Sequence, residues 1–207
     1  VICYANYWKK LGYNLNNTKT KYFLGTKYVP LRKEFWNMKN KHISDNVENV
    51  LIMTGGSDPY NIAELMLCGI DRSKYKKIDV ICGRYNANYN DLVVRYRNES
   101  NVSIHRNVSN MEDYMTNADI AISAGGTTLY ELCACGTPAI SYTFADNQMG
   151  NAIQFDEEGM ILYAGDFRKD DAVDSIRSLL EDMKDDYELR QHYSVRMKQF
   201  VDGKGAG

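Results

Sequence analysis

The chain changes character near residue 47. Beyond it, short apolar runs alternate with amphipathic stretches, and glycine, serine, asparagine or aspartate marks most junctions. NVLIMTGGSD (49–58) is an apolar run ending in Gly-Gly-Ser-Asp, which reads as a buried strand entering a tight loop. PYNIAELMLCGI (59–70) then places Ile62, Leu65 and Met66 on one helical face. Pro59 suits the first turn of that helix, where its missing N–H is not needed. KIDVICG (77–83) predicts a second strand, NYNDLVVRYRN (88–98) a helix and NVSIHRNV (101–108) a third strand. Ser109 and Glu112 have capping-box spacing and open a helix to about Ala118.

The same logic repeats downstream. IAIS (120–123) predicts a strand, and a helix runs from Thr127 to Cys135, where Gly136 and Pro138 stop it. AISY (139–142) is another strand. A helix from Asn147 to Glu158 ends at Gly159, and MILYAG (160–165) is the last strand. Two polar-faced helices occupy the stretch from about Lys169 to Val201. Strands alternating with helices predict an α/β class: a Rossmann-like parallel sheet with helices on both faces. Such sheets bind ligands at the carboxyl ends of their strands, where both Gly-Gly segments fall.

Residues 1–46 show little periodicity, with Asn14, Asn16, Asn17 and Pro30 among Lys and Tyr. VICYAN (1–6) reads as a strand end and residues 22–36 as a surface wrap. The expected organisation is the trailing edge of a missing amino-terminal domain plus linker over 1–46, then a nucleotide-binding domain over 47–207.

Composition narrows the partners. A net charge of −2 provides no basic field for nucleic acid or an anionic membrane. No apolar run approaches a bilayer span and no secretory signal is visible, so a cytoplasmic location is expected, without membrane insertion. Five scattered cysteines (Cys3, Cys68, Cys82, Cys133, Cys135) read as reduced and structural. No His/Cys/Asp spacing suggests a metal site, and no cofactor is expected. His42 and His192 read as surface residues. His105, beside Arg106, reads as a core-edge residue with no obvious carboxylate partner.

Three segments carry candidate chemistry. Gly55-Gly56-Ser57-Asp58 sits between strand and helix, where glycines allow close backbone approach and helix N–H groups suit a phosphate. The rival reading is a plain turn capped by Ser57 or Asp58. The second segment runs from Ser123 through Gly125, Gly126, Thr127 and Thr128 to Glu131. Glu131 lies near one turn into the helix, so its carboxylate can accept two hydrogen bonds from a ribose diol. Its rival is a capping box in which Thr128 and Glu131 satisfy each other. The third, Asp146-Asn147-Gln148, opens a helix with groups suited to sugar hydroxyls or an acetamido group, or serves as an N-cap. Arg84 and Arg106 are the candidate cations near these loops. The first loop lacks both the Walker pattern and the dinucleotide fingerprint.

Taken in order, LGTKYVPLRKEF (24–35), MTGGSDPYN (53–61), ISAGGTTLYELCACGTPAISY (122–142), DNQMGNA (146–152) and DGKGA (202–206) resemble a known family. The chain is similar to the carboxy-terminal domain of GT-B enzymes related to family 28 glycosyltransferases. More closely, it looks like the UDP-2,4-diacetamido-2,4,6-trideoxy-β-L-altropyranose hydrolases of pseudaminic-acid biosynthesis and the spore-coat polysaccharide proteins. The resemblance implies a UDP-sugar ligand in a cleft between two domains. It places pyrophosphate at Gly55, Gly56, Ser57 and Gly125 to Thr128, and ribose at Glu131. Uracil is placed near Arg106 to Val108, with Gly83 and Ser123 also on the nucleotide side. Asp146, Asn147 and Gln148 would face the sugar, with Asn147 the candidate nearest the reaction. The histidine that activates water in the hydrolases belongs to an amino-terminal loop with no counterpart here. The expected function is the UDP-sugar-binding half of a hydrolase, with a glycosyltransferase or a non-catalytic binding module as alternatives.

Overall fold

The computed structural model describes residues 2–3, 12–16, 19–169 and 171–205. Most of VICYAN (1–6), and Ala206 of the last motif, lie outside them. Ile2–Cys3 pairs in parallel with Phe23–Leu24. The main sheet has six strands: β1 Asn49–Met53, β2 Lys77–Cys82, β3 Val102–Arg106, β4 Ile120–Ala124, β5 Ala139–Thr143 and β6 Leu162–Asp166. All are parallel, in the spatial order β3-β2-β1-β4-β5-β6. Among the described residues seven α-helices connect and flank them: α1 Ile62–Gly69, α2 Tyr89–Tyr96, α3 Met111–Asn117, α4 Thr128–Cys135, α5 Asp146–Glu157, α6 Ala172–Asp185 and α7 Tyr187–Phe200.

Strand periodicity assigns the two faces. Val50 and Ile52, with Ile120 and Ile122, pack under α1, α2 and α6 through Met66, Leu92 and Leu180. Leu51 and Met53, with Ala121, face the other way toward α3, α4, α5 and α7 through Met115, Leu129, Phe155 and Met197. Both faces are therefore covered, as a parallel sheet requires. The strand order reverses between β1 and β4, which creates a switch point at their carboxyl ends.

Several local expectations change. Helix α1 starts at Ile62, not Pro59, because Asp58 and Asn61 adopt left-handed φ values of 49° and 53°. Its buried face is Ile62, Ala63, Met66 and Leu67, and Leu65 lies well off that arc and is exposed. Helix α3 is flanked by Asn110 without a side-chain cap, so the Ser109–Glu112 box does not form. The last strand begins at Leu162, since Met160 and Ile161 fill the core before it. Cys82, Cys133 and Cys135 are buried, but Cys68 is exposed on the outer side of α1.

The stretch from 29 to 47, which includes the end of the segment read as a surface wrap, is anchored. Val29, Leu31, Phe35, Ile43 and Val47 are buried, Phe35 completely. Three cations from the domain and the segment tie carbonyls across the seam. Lys198 Nζ donates to Met38 O and Lys39 O at 2.7 and 3.0 Å. Buried Arg190 donates to Ser44 O and Asp45 O, and Lys41 to Thr116 O. Among the described residues no helix is long and apolar enough to cross a membrane.

Candidate functional site

The first loop leaves β1 through Gly55, whose φ of 75° favours glycine. Gly55, Gly56 and Ser57 are exposed, whereas Asp58 is buried. Asp58 Oδ1 accepts from Ile62 N at 2.6 Å and Oδ2 from Ala63 N at 3.1 Å. Burial pushes the Asp58 carboxyl above its ordinary pKa, and these amide donors pull it partly back. The capping alternative therefore holds for Asp58, and the leading amides of α1 are satisfied from within. Gly83 serves this loop by packing. A Cβ there would stand 2.1 Å from Gly55 O and 2.4 Å from Gly56 O. Tyr85 N donates to Gly56 O at 3.0 Å across the same contact.

The second loop leaves β4 beside the first. Gly125 N donates to Tyr142 O at 2.8 Å, and a Cβ on Gly125 would stand 3.0 Å from both Ala152 Cβ and Thr143 Cγ2. A Cβ on Gly126 would meet nothing within 4 Å. Asn151 Nδ2 donates to Gly126 O at 3.3 Å, and Tyr130 Oη to Asn151 Oδ1 at 2.6 Å, which fixes the loop on α5. No side chain caps α4; Leu129 N and Tyr130 N donate to Gly126 O and Thr127 O at 3.3 and 3.1 Å, and the Thr128 N–H ahead of them has no intrahelical acceptor. The Thr128–Glu131 capping box is absent. Glu131 Oε1 instead accepts from Arg32 Nε at 2.8 Å.

The Gly55-Gly56 loop and the start of α4 share one cleft of about 290 Å³ at the switch point. Gly55, Gly56, Gly83, Arg84, Thr128, Glu131 and Arg32 supply its polar wall. Met53, Ile81, Cys82, Val108 and Met111 supply an apolar wall suited to a flat ring. Burial raises the Cys82 thiol to about 11, so it lines the cleft as an unreactive hydrophobe. Asn107, with φ 57°, turns the chain so that Val108 reaches the cleft. Apolar room for a base, a carboxylate for a diol and a helix start for phosphate therefore lie side by side.

The glycosyltransferase family 28 C-terminal domain matches residues 50–201. The chain belongs to that family. It is 26% identical over 192 residues to the spore coat polysaccharide biosynthesis protein SpsG of Bacillus subtilis, covering 90% of this chain and 56% of that protein. It is 31% identical over 134 residues to the UDP-N-acetylglucosamine–N-acetylmuramyl-(pentapeptide) pyrophosphoryl-undecaprenol N-acetylglucosamine transferase of Campylobacter jejuni subsp. doylei, covering 59% of this chain and 37% of that protein. The structure of Acinetobacter baumannii MurG superposes with a TM-score of 0.66 at 18% identity, covering 90% of this chain and 53% of that one, a likeness of fold. The chain thus spans between 37% and 56% of the length of these relatives.

Within this family 28 domain the remaining candidates divide. Ser57, Gly125, Gly126 and Thr127 belong to the two loops beside the cleft but are not among the residues that line it. Ser123 is buried, its hydroxyl turned onto Ala124 O at 3.2 Å, so it does not reach the cleft. Arg106 leaves the cleft and lies over the Tyr89 ring at 4.1 Å. Asn147 is exposed at the start of α5, next in line along the sheet edge. Asp146 pairs with Arg168 Nη1 at 2.7 Å, and Gln148 Oε1 accepts from Phe144 N at 3.0 Å, so both are partly engaged by the loop itself.

Three findings lay outside the sequence reading. Arg32 comes from the supposed linker, within the LRKEF motif that carried part of the resemblance. The apolar wall uses strand-end residues indistinguishable in sequence from ordinary core. His105 does have a carboxylate partner: its Nε2 lies 2.8 Å from Asp79 Oδ1 on the neighbouring strand. That pair needed the β2–β3 register to be seen. Among the described residues no group of three His, Cys, Asp or Glu could hold a metal ion. A larger open groove of about 730 Å³ lies between the end of α5 and α7, lined by Glu157, Glu188, His192 and Arg196. None of its lining residues lies at a strand carboxyl end, and its charged walls are those of solvated helix faces.

Proposed function

We propose that this chain is the UDP-sugar-binding half of an enzyme that cleaves the bond between a sugar and UDP in surface-polysaccharide biosynthesis. The observation that carries the reading is the convergence of the Gly55-Gly56 loop, Thr128 and Glu131 on one cleft at the β1/β4 switch point. Uracil lies against Val108 and Met111. The ribose diol engages Glu131. The diphosphate meets the uncapped start of α4 and the Gly55-Gly56 backbone. These groups stabilise the charge that grows on the departing UDP, a preorganised electrostatic contribution. The attacking group and its base come from an amino-terminal domain, with Asn147 closest to the anomeric centre on this side.

Hydrolysis is the first reading, on the sequence motifs that resemble the altropyranose hydrolases. The spore-coat relative, aligned over 90% of this chain at 26% identity, supports a role in polysaccharide biosynthesis but does not choose between hydrolysis and transfer. Transfer to an acceptor is the second reading, supported by the family match and the Campylobacter transferase. Release of free sugar by the full-length protein without any acceptor decides between them.

Calorimetric titration with UDP, CMP and NAD tests the binding reading. UDP binds, and Glu131→Ala weakens it about 10-fold, the loss of about 1.4 kcal/mol. Gly126→Leu folds normally, since its side chain enters open space, yet obstructs the diphosphate. Unchanged UDP affinity in both folded variants would remove the site.

A further inference from the structure

Arg32 reaches Glu131 from a stretch that residues 201–205 grip at both ends. Val201 is buried in one apolar cluster with Val29, Leu31 and Phe35. Thr26 Oγ1 donates to Phe200 O where α7 ends. The chain then turns through Gly203, whose φ of 75° favours glycine. A Cβ on Gly203 would stand 2.7 Å from Phe35 O. One on Gly205 would stand 2.2 Å from Val29 O and 2.6 Å from Val29 N. The two glycines therefore let backbone lie directly on backbone, at the first and last residues of the 29–35 stretch.

Arg32 stands midway between those two contacts. It leads into a single 3-10 turn, Lys33–Phe35, and its guanidinium lies over the Phe35 ring at 5.0 Å while Nε donates to Glu131. Trp36 Nε1 donates to Leu31 O at 2.9 Å, which closes the stretch on itself. On the other side of the pair, Lys198 of α7 donates to Ala134 O at 3.1 Å, on the helix that carries Glu131. One run of chain, from the end of α7 to Gly205, thus holds both partners. An exposed ion pair is worth little by itself, because fixing a long side chain costs entropy. Fixing the backbone beneath it lowers that cost. Contacts away from the charges therefore set how often the pair is closed.

We propose that residues 201–205 form a clasp that positions Arg32 on Glu131, and so sets how readily that carboxylate is released to a ribose diol. Gly203 and Gly205 are positioning residues: neither lines the cleft, and both act through Arg32. The nucleotide half of this inference rests on the UDP-sugar reading above.

The test uses the 207-residue chain as wild type, Gly205→Ala, Thr26→Val and Arg32→Gln, with both clasp substitutions also made on Arg32→Gln. Thr26→Val keeps the side-chain shape and removes one hydrogen bond, so it reads the clasp even where Gly205→Ala disturbs the fold. The first readout is exchange of the Arg32 Nε–H with solvent, followed by NMR without nucleotide. Each clasp variant speeds it by about 2- to 5-fold, the range open to a pair worth up to about 1 kcal/mol. The second readout is uridine affinity. Each clasp variant binds uridine about 2-fold more tightly than wild type, and the gain vanishes on Arg32→Gln, as two changes acting through one pair require. Unchanged exchange in both variants, or a gain that persists without Arg32, overturns the clasp and leaves the nucleotide site standing. Faster exchange in a protein that binds neither uridine nor UDP removes the parent reading, and the nucleotide role falls with it while the contact itself stands.

Discussion

Two loops of nearly the same design end in two carboxylates with opposite fates. Each runs from a strand through Gly-Gly to a helix, and each carries an acid shortly after. Asp58 is 1% exposed and bound to backbone amides of its own helix. Glu131 keeps 15% side-chain exposure, leaves its helix uncapped and pairs with Arg32, which is 51% exposed. The first acid is a permanent part of the fold. The second is held by a partner that solvent can reach and a ligand can displace. Spacing decides this difference. Asp58 precedes its helix and can fold back over the amides, whereas Glu131 already lies within α4 and projects outward.

The largest effect should come from breaking the buried acid. Asp58→Ala removes the cap and strands two buried amides, costing about 2–3 kcal/mol in denaturant unfolding. Asp58→Asn sharpens the comparison through pH. Because burial raises the folded carboxyl above the ordinary 3.8, ionisation opposes folding. Any stability advantage of wild type over Asp58→Asn should be largest below that ordinary value. It should shrink as pH rises through the folded one. A pH-independent difference would show that the carboxyl is not titrating against burial.

A second effect of about 1–3 kcal/mol should follow Gly83→Ala, whose methyl would strike the carbonyls of Gly55 and Gly56. The partner loop suffers no such pressure at Gly126. UDP affinity should fall with the stability, and a fully stable Gly83→Ala protein would contradict the packing role.

These contrasts show what the sequence could disclose. Alternation of apolar runs and helical faces was enough for the parallel sheet, because burial on both faces imposes a pattern on every strand. The Gly-Gly segments were legible as strand-to-helix loops because their backbone geometry is local, although the first helix starts only at Ile62 and Asp58 caps its amides. Local reasoning stopped at partners that lie far apart in the chain. Nothing near Glu131 in sequence points to Arg32, 99 residues away. The Asp79–His105 pair required a strand register, and the role of Gly83 required the position of another loop's carbonyls. Phe35 was invisible as core because the segment around it has no periodic partner of its own.

The smallest and most discriminating effect concerns Arg32. In the free domain its guanidinium occupies the carboxylate that a ribose diol would need. A half-exposed pair of this kind is worth about 0–1 kcal/mol, so displacing it should cost a nucleoside little but measurably. Arg32→Gln removes that competition, and uridine, which carries the diol without phosphate, should bind about 2- to 4-fold more tightly. High salt should reproduce part of the gain in wild type by screening the pair, and none in the variant. Stability should change by less than about 1 kcal/mol, because Phe35, not Arg32, anchors the segment. Weaker uridine binding in Arg32→Gln would mean that the guanidinium assists the nucleoside instead of excluding it. The contrast between a fixed acid and an exchangeable one would then rest on Glu131 alone.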